Sequence, residues 1–165
     1  INNLLKLNKM KKIILFSSIF FTGLVSAQEV EANIDDIKEV AETGNVKAQF
    51  ILGTAYYLGL NGAEQDYEKA FYWWKKAAEQ GNPDAQVRLG NCYNVGIGVE
   101  KSKSKAFYWY NKAAEQGNST AQGLLGVCYS AGIGVEKSKS KAIYWLRKAC
   151  ENFNDQACEM LNNLK

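Results

Sequence analysis

The residues of this chain best suited to chemistry are its four cysteines. Cys92 and Cys128 stand 36 positions apart, and Cys150 and Cys158 stand eight apart. A cysteine can form a disulfide, ligate a metal or act as a nucleophile, and the last two roles require partners. Histidine is absent, which removes the commonest general base and the commonest metal ligand together. A serine–lysine pair exists formally in the run Lys101-Ser-Lys-Ser-Lys105, but adjacent exposed residues lack the burial that depresses a lysine pKa. No nucleophile with a base in reach, no ligand set and no opposed pair of carboxylates is visible. The residues therefore point to binding rather than catalysis, with no catalytic residue, metal or cofactor.

Composition agrees with a folded chain. Hydrophobic residues make up 47% and charged residues 22%, near the averages of soluble domains. The formal charge of +3 is carried by the leading segment, where Lys6, Lys9, Lys11 and Lys12 meet no acid. Beyond residue 27 there are 16 basic and 17 acidic residues, so the basic footprint of a nucleic-acid binder is missing. Met10-Lys11-Lys12, the apolar run 13–24 and the small-x-small ending Val25-Ser26-Ala27 have the order of a secretory signal, with a start at Met10. The apolar run is shorter than the ~20 residues that span a bilayer. The expectation is a cleaved signal, no stable membrane span afterwards, and a periplasmic or secreted product.

The elements that position these residues follow from an internal repeat. Gly96–Ala106 recurs as Gly132–Ala142 without a mismatch, and Lys76–Asn82 recurs as Lys112–Asn118, both at an offset of 36. A fixed period of this length marks a solenoid of helix pairs. In the first helix of a unit, Ala85, Leu89, Cys92, Tyr93 and Gly96 share one face; in the second, Ala106, Trp109, Tyr110 and Ala113 do. Gly96 and Gly98 end the first helix, and Asp66, Ser102 and Ser138 are placed to cap the second helices. Gly53, Gly90 and Gly126 lie inside helices at one register, where each costs about 1 kcal/mol against alanine, which implies a close helix crossing. The divisions expected are a leader at 1–27, an N-terminal capping helix within 28–46, repeats at 47–82, 83–118 and 119–154, and a C-terminal capping helix at 155–165.

The pattern Ala85-x-x-x-Leu89-Gly90-x-x-Tyr93-x-x-Gly96-x-Gly98-Val99, followed by Lys105-Ala106-x-x-Trp109-x-x-Lys112-Ala113-Ala114-x-x-Gly117, resembles the Sel1-like repeat, a relative of the tetratricopeptide repeat. That resemblance implies an all-α fold, a right-handed α-solenoid of antiparallel helix pairs that scaffolds protein assemblies. Ser102 and Ser138 stand where the family usually has the aspartate seen here as Asp66. The eight-residue spacing of Cys150 and Cys158 resembles the disulfide-pinned, cysteine-rich secreted branch of the family. Their positions on adjacent antiparallel helices can also meet the Cα separation a disulfide needs. Cys92 and Cys128, on buried faces, are expected as free core thiols. The same branch implies a runner-up function, a weak β-lactam or cell-wall-directed hydrolase, although the class A β-lactamase signature is missing.

Two further features are weighed against simple packing. The aromatics of the second helices, Phe71 to Trp74, Phe107 to Tyr110, Tyr144 and Trp145, read as core, with Tyr72 and Tyr108 as exposed exceptions. Lys101, Lys103 and Lys105, repeated as Lys137, Lys139 and Lys141, oppose the helix macrodipole and so are not explained by helix stability; they read as a solvated face that confers solubility, the alternative being a ridge that attracts anionic lipid headgroups or a cell-wall polymer.

The outward face of the first helices is the expected partner site, since in tetratricopeptide-like stacks it lines the concave groove. It comprises Phe50, Ile51, Thr54 and Tyr57 in the first repeat, Val87, Arg88, Asn91 and Asn94 in the second, and Leu124, Val127 and Ser130 in the third. Its apolar members suit a protein or peptide segment bound to a monomeric scaffold.

Overall fold

The computed structural model describes residues 33–164. The signal-like segment, residues 1–27, lies outside the described residues. Eight α-helices and no strands occur among the described residues. In chain order they are α1 (Ile34–Glu42), α2 (Val46–Leu58), α3 (Tyr67–Glu79), α4 (Pro83–Val95), α5 (Lys103–Glu115), α6 (Ser119–Ala131), α7 (Lys139–Glu151) and α8 (Asp155–Leu164). They fall into two compact units, one ending at Lys76 and the other beginning at Ala77. Consecutive helices pack as pairs, as the 36-residue period requires.

Each first helix starts at an asparagine whose side chain accepts the backbone N–H three residues on. Asn45 caps α2 through Ala48 at 2.9 Å, Asn82 caps α4 through Ala85 at 2.8 Å, and Asn118 caps α6 through Ala121 at 3.0 Å. This satisfies one of the donors a helix N-terminus leaves without a partner. Each first helix ends on a left-handed glycine, Gly59, Gly96 or Gly132. The turn that follows is tied back to the helix, because Ser102 N–H donates to the Tyr93 carbonyl at 2.8 Å and Ser138 N–H to that of Tyr129 at 2.9 Å. Ser102 and Ser138 then cap α5 and α7, and Asp66 accepts the Lys69 N–H at 2.9 Å.

In the first unit the core is Ile37, Val40 and Ala41 of α1 against Ala48 and Leu52 of α2 and Trp73 of α3. In the second unit α8 closes onto α7 by placing Ala157 and Leu161 against Leu146 and Ala149. Three buried glutamines lie among these apolar layers, Gln49, Gln86 and Gln122, each following an inward alanine. Their amides donate to the carbonyls of Ala41, Ala78 and Ala114 at 3.1, 3.1 and 3.3 Å. Those carbonyls belong to the last turn of the preceding helix, and each also accepts the backbone N–H of Gly44, Gly81 or Gly117 at 3.0 Å. The free oxygens of Gln86 and Gln122 are taken by Gln116 Nε2 at 2.8 Å and Asn152 Nδ2 at 3.0 Å. A polar side chain is stable in such a core only because its hydrogen bonds are made.

Candidate functional site

The helical wheel divides α4 into an inward and an outward face, and the structure corrects that division. Seven of the 13 residues of α4 are buried, so its covered arc is wider than an amphipathic stripe. Val87, expected outward, is 8% exposed and belongs to the core. A helix in a stack is flanked on more than one side, which widens its covered arc. Asn91 is half-buried and accepts the hydroxyl hydrogen of Tyr110 at 2.8 Å, so its polar group serves the fold. Thr54 plays the same part in the first unit, accepting Trp74 Nε1–H at 3.3 Å. Ile51 packs against the Ile37–Leu52 cluster, and Tyr57 is held between Tyr67 and Trp74 at centroid distances of 5.5 and 5.2 Å. These residues are therefore partly structural, whereas the wheel treats them as free.

What remains open on the first helices is narrower. Arg88 and Val95 are exposed in α4, and Asn94 is half-buried with its oxygen accepting Lys103 Nζ–H at 2.6 Å. In α6 the equivalent Leu124, Val127 and Ser130 are half-buried. Phe50, in α2, is half-buried as well. Val95 is 61% exposed, high for an aliphatic side chain on a packed helix.

Between Asn82–Ala106 and Asn118–Ala142 only seven positions differ. They are the pairs at 83, 84, 87, 88, 91, 94 and 95 and their counterparts 36 residues on, and this spacing lies on one helical stripe. Part of that variation is packing. Asn91 faces the hydroxyl of Tyr110, while the third repeat has Val127 and Leu146 at the same two positions, an apolar pair. Asp84 accepts Asn118 Nδ2–H at 3.0 Å, whereas in the third repeat Asn154 Nδ2 donates to the Ser119 carbonyl, so it is the exposed difference of Arg88 against Leu124 that has no such partner exchange to account for it.

Cys150 and Cys158 form a disulfide with Cα atoms 4.8 Å apart, joining α7 to α8. Cys92 and Cys128 are free and buried. Burial pushes both thiols up to about 11 from the ordinary 9.0, and the same cause raises the Tyr110 phenol. A neutral buried thiol is a poor nucleophile and a poor metal ligand. Among the described residues no group of three or more His, Cys, Asp or Glu side chains is placed to hold a metal ion. Two measurable results follow. At pH 8 a thiol reagent is expected to leave the native protein unlabelled and to find two thiols after denaturation; rapid labelling of the native chain would contradict the burial. Because the folded state keeps these protons while the unfolded thiols release them, stability is present below pH 9 and falls as pH rises from about 9 to 11. Replacing both cysteines by alanine should flatten that alkaline decline.

A series of paired helices joined by left-handed glycines, stapled by one disulfide and built on repeated inward Ala, Leu and Gly positions, defines a helix-pair repeat protein. Three Sel1 repeats match the chain, at residues 46–82, 83–118 and 119–152, and the chain belongs to the Sel1 repeat family. It is similar to a Sel1 repeat protein from Oxalobacter formigenes, at 41% identity and a TM-score of 0.72 over 79% of this chain and 97% of that one. It is also similar to c5321, a protective antigen of uropathogenic Escherichia coli strains displaying an SLR fold, at 34% identity and a TM-score of 0.83. That match takes in 94% of this chain but 33% of c5321. Cysteine rich protein B of Helicobacter pylori is 28% identical with a TM-score of 0.62, over 78% of this chain and 96% of that one. No curated protein sequence matches the chain. Sel1-repeat proteins generally serve as scaffolds for protein interaction, and most are not enzymes.

Proposed function

We propose that the chain is an exported interaction module that holds a peptide or protein segment against the outward stripe of its first helices, without catalysing a reaction. The observation that carries this reading is the placement of the seven differences between the second and third repeats. They fall on one stripe of α4 and α6, while Ala85, Gln86, Leu89, Gly90, Cys92 and Tyr93 recur unchanged. A repeat that keeps most of its packing while its exposed positions change gives each unit a different contact to offer, as partner choice requires. Arg88 supplies an exposed charge, and Leu124, Val127 and Ser130 supply a mostly apolar surface beside it. Val87 and Asn91 act from beneath by fixing α4, and Phe50 and Tyr57 present a comparable surface on the first unit.

Export is supported by the signal-like leader, by the Cys150–Cys158 disulfide and by the resemblance to a cysteine-rich relative, since disulfides persist in oxidising compartments. Among the described residues no helix is long and apolar enough to cross a membrane.

Photo-crosslinking in the native cell envelope tests the site. A crosslinking side chain at position 88 or 124 is expected to give discrete adducts of one common partner, and the same group at the exposed Phe153, in the turn after α7, to give none. Adducts from 153 alone, or from none of the three, would remove the first-helix stripe as the site.

A further inference from the structure

The second helices invert the pattern of the first. Eight positions are exposed between Glu100 and Glu115, and all eight carry the same residue 36 positions later. The differences fall instead at Phe107, Tyr110, Asn111 and Ala114, which are buried or half-buried, and of their counterparts in α7 Arg147 alone is exposed, adding a further cation. Packing ordinarily constrains a core and leaves a surface free to drift, so a surface that stays fixed while the core beneath it changes is held by something other than packing.

That surface is cationic with an aromatic centre. Residues 100–115 and 136–151 together hold nine Lys and Arg against four Glu, in a chain that beyond its leader otherwise holds seven basic against 13 acidic residues. Among the described residues Lys101, Lys137 and Lys139 pair with no carboxylate. Ser104, Tyr108 and Lys112 follow one another at the four-residue spacing of a single helix stripe. Tyr108 is 50% exposed and Tyr144 is 51% exposed. Each stands edge to face with the following tryptophan, at 5.1 and 5.2 Å between centroids. Each lies under a lysine, Lys112 Nζ at 5.1 Å and Lys148 Nζ at 5.0 Å from the ring centre. Tyr72, Trp73 and Lys76 form the same arrangement in the first unit. In the second unit the two copies are neighbours, because Gly134, in the turn before α7, lies directly against the backbone of Lys103 at the start of α5.

We propose that this outer face of α5 and α7 binds a linear acidic polysaccharide. Two identical sets of cations at one structural repeat suit a ligand whose charge also repeats, and a long polyanion gains affinity from each set it spans. Tyr108 and Tyr144 lie under a lysine and beside a tryptophan on the helix surface, rather than standing clear of it as interfacial anchors do. Lys112 and Lys148 each occupy a face of the ring on which a nucleic-acid base would stack. The exposed tyrosine hydroxyls remain free to exchange hydrogen bonds with the hydroxyls of a sugar, while the lysines meet its carboxylates.

The full chain is tested with a polyuronate (alginate) as probe, against dextran, single-stranded DNA and phosphatidylglycerol vesicles. Polyuronate binding is expected to be the tightest of the four and to weaken severalfold between about 50 and 200 mM salt. Lys101→Glu with Lys137→Glu, two positions outside the helices, should weaken it at least about tenfold, and Tyr108→Ser with Tyr144→Ser should weaken it severalfold with the thermal melt retained. An Arg88→Ala chain should bind the polyuronate unchanged, which separates this face from the first-helix stripe. Absence of polyuronate binding, equal binding to dextran, tighter binding to DNA or vesicles, or indifference to the lysine pair would each overturn the proposal.

Discussion

Gly126→Ala is expected to lower the stability of the chain and Gly126→Leu to lower it by about 3 kcal/mol, although helix propensity alone makes either replacement favourable by nearly 1 kcal/mol. The sign is set by space. A Cβ at Gly126 would stand 2.5 Å from Leu146 Cγ and 2.7 Å from its Cδ2, with the Ala142 carbonyl oxygen at 3.4 Å behind. Leu146 is fully buried, so it cannot swing into solvent, and the carbonyl belongs to the backbone of α7. The helices must move apart, and a close-packed core resists even one added methyl group. Gly90 would meet the ring of Tyr110, and Gly53 the indole of Trp74 at 2.6 Å, so the same crossing occurs in each repeat with a different occupant. Denaturant unfolding of Gly126→Ala decides the matter, and a raised midpoint would show that no close crossing exists. In the Gly126→Ala background, Leu146→Ala should cost less than it does alone, because it vacates the space the new methyl needs.

This crossing was legible in the sequence because a repeated cost asks for a repeated cause, and three mid-helix glycines at one register supply it. The capping serines and the Cys150–Cys158 pair were legible for a related reason, since register alone places them. The outward face was less so. A wheel assumes a helix covered on one side, and α4 is covered more widely, which is why Val87 lies in the core. Gln86 and Gln122 are polar yet buried, and each donates to a carbonyl in the last turn of the preceding helix. The signal for them was present as the dipeptide Ala-Gln recurring at 48, 85 and 121, because a glutamine kept beside an invariant inward alanine has a packing role. Asn91 carried a comparable signal. The residues at 54 and 74 and those at 91 and 110 are both polar-capable pairs, and those at 127 and 146 are both apolar, so each pair changes together. The asparagine caps were hidden by their neighbours, since Gly-Asn reads as the close of one helix more readily than as the start of the next.

The second large effect is expected at the disulfide. Cys150→Ser with Cys158→Ser is predicted to cost roughly 2–3 kcal/mol, the stabilisation a bridge closing so short a loop provides by restricting the unfolded chain. Its other attachments define what the loss would look like. α8 is a short helix whose buried contacts are Ala157 and Leu161, with Met160 and Leu164 partly packed beside Leu146 and Ala149. The turn before it is held by Asn154 N–H donating to the Ala149 carbonyl at 3.0 Å and by Asn154 Nδ2 donating to that of Ser119 at 3.2 Å. A ten-residue helix with so little buried surface is marginal without its staple, because helices of this length are unstable on their own. The amides of α8 are therefore expected to lose hydrogen-exchange protection first, while those of α4 to α6 keep theirs until the global transition. Reduction of the unaltered protein should reproduce the pattern, since Cys92 and Cys128 are buried thiols that gain nothing from a reductant. Unchanged protection of α8 in the double serine variant, together with an unchanged melting temperature, would show that packing alone holds the helix and that the bridge contributes nothing to the fold.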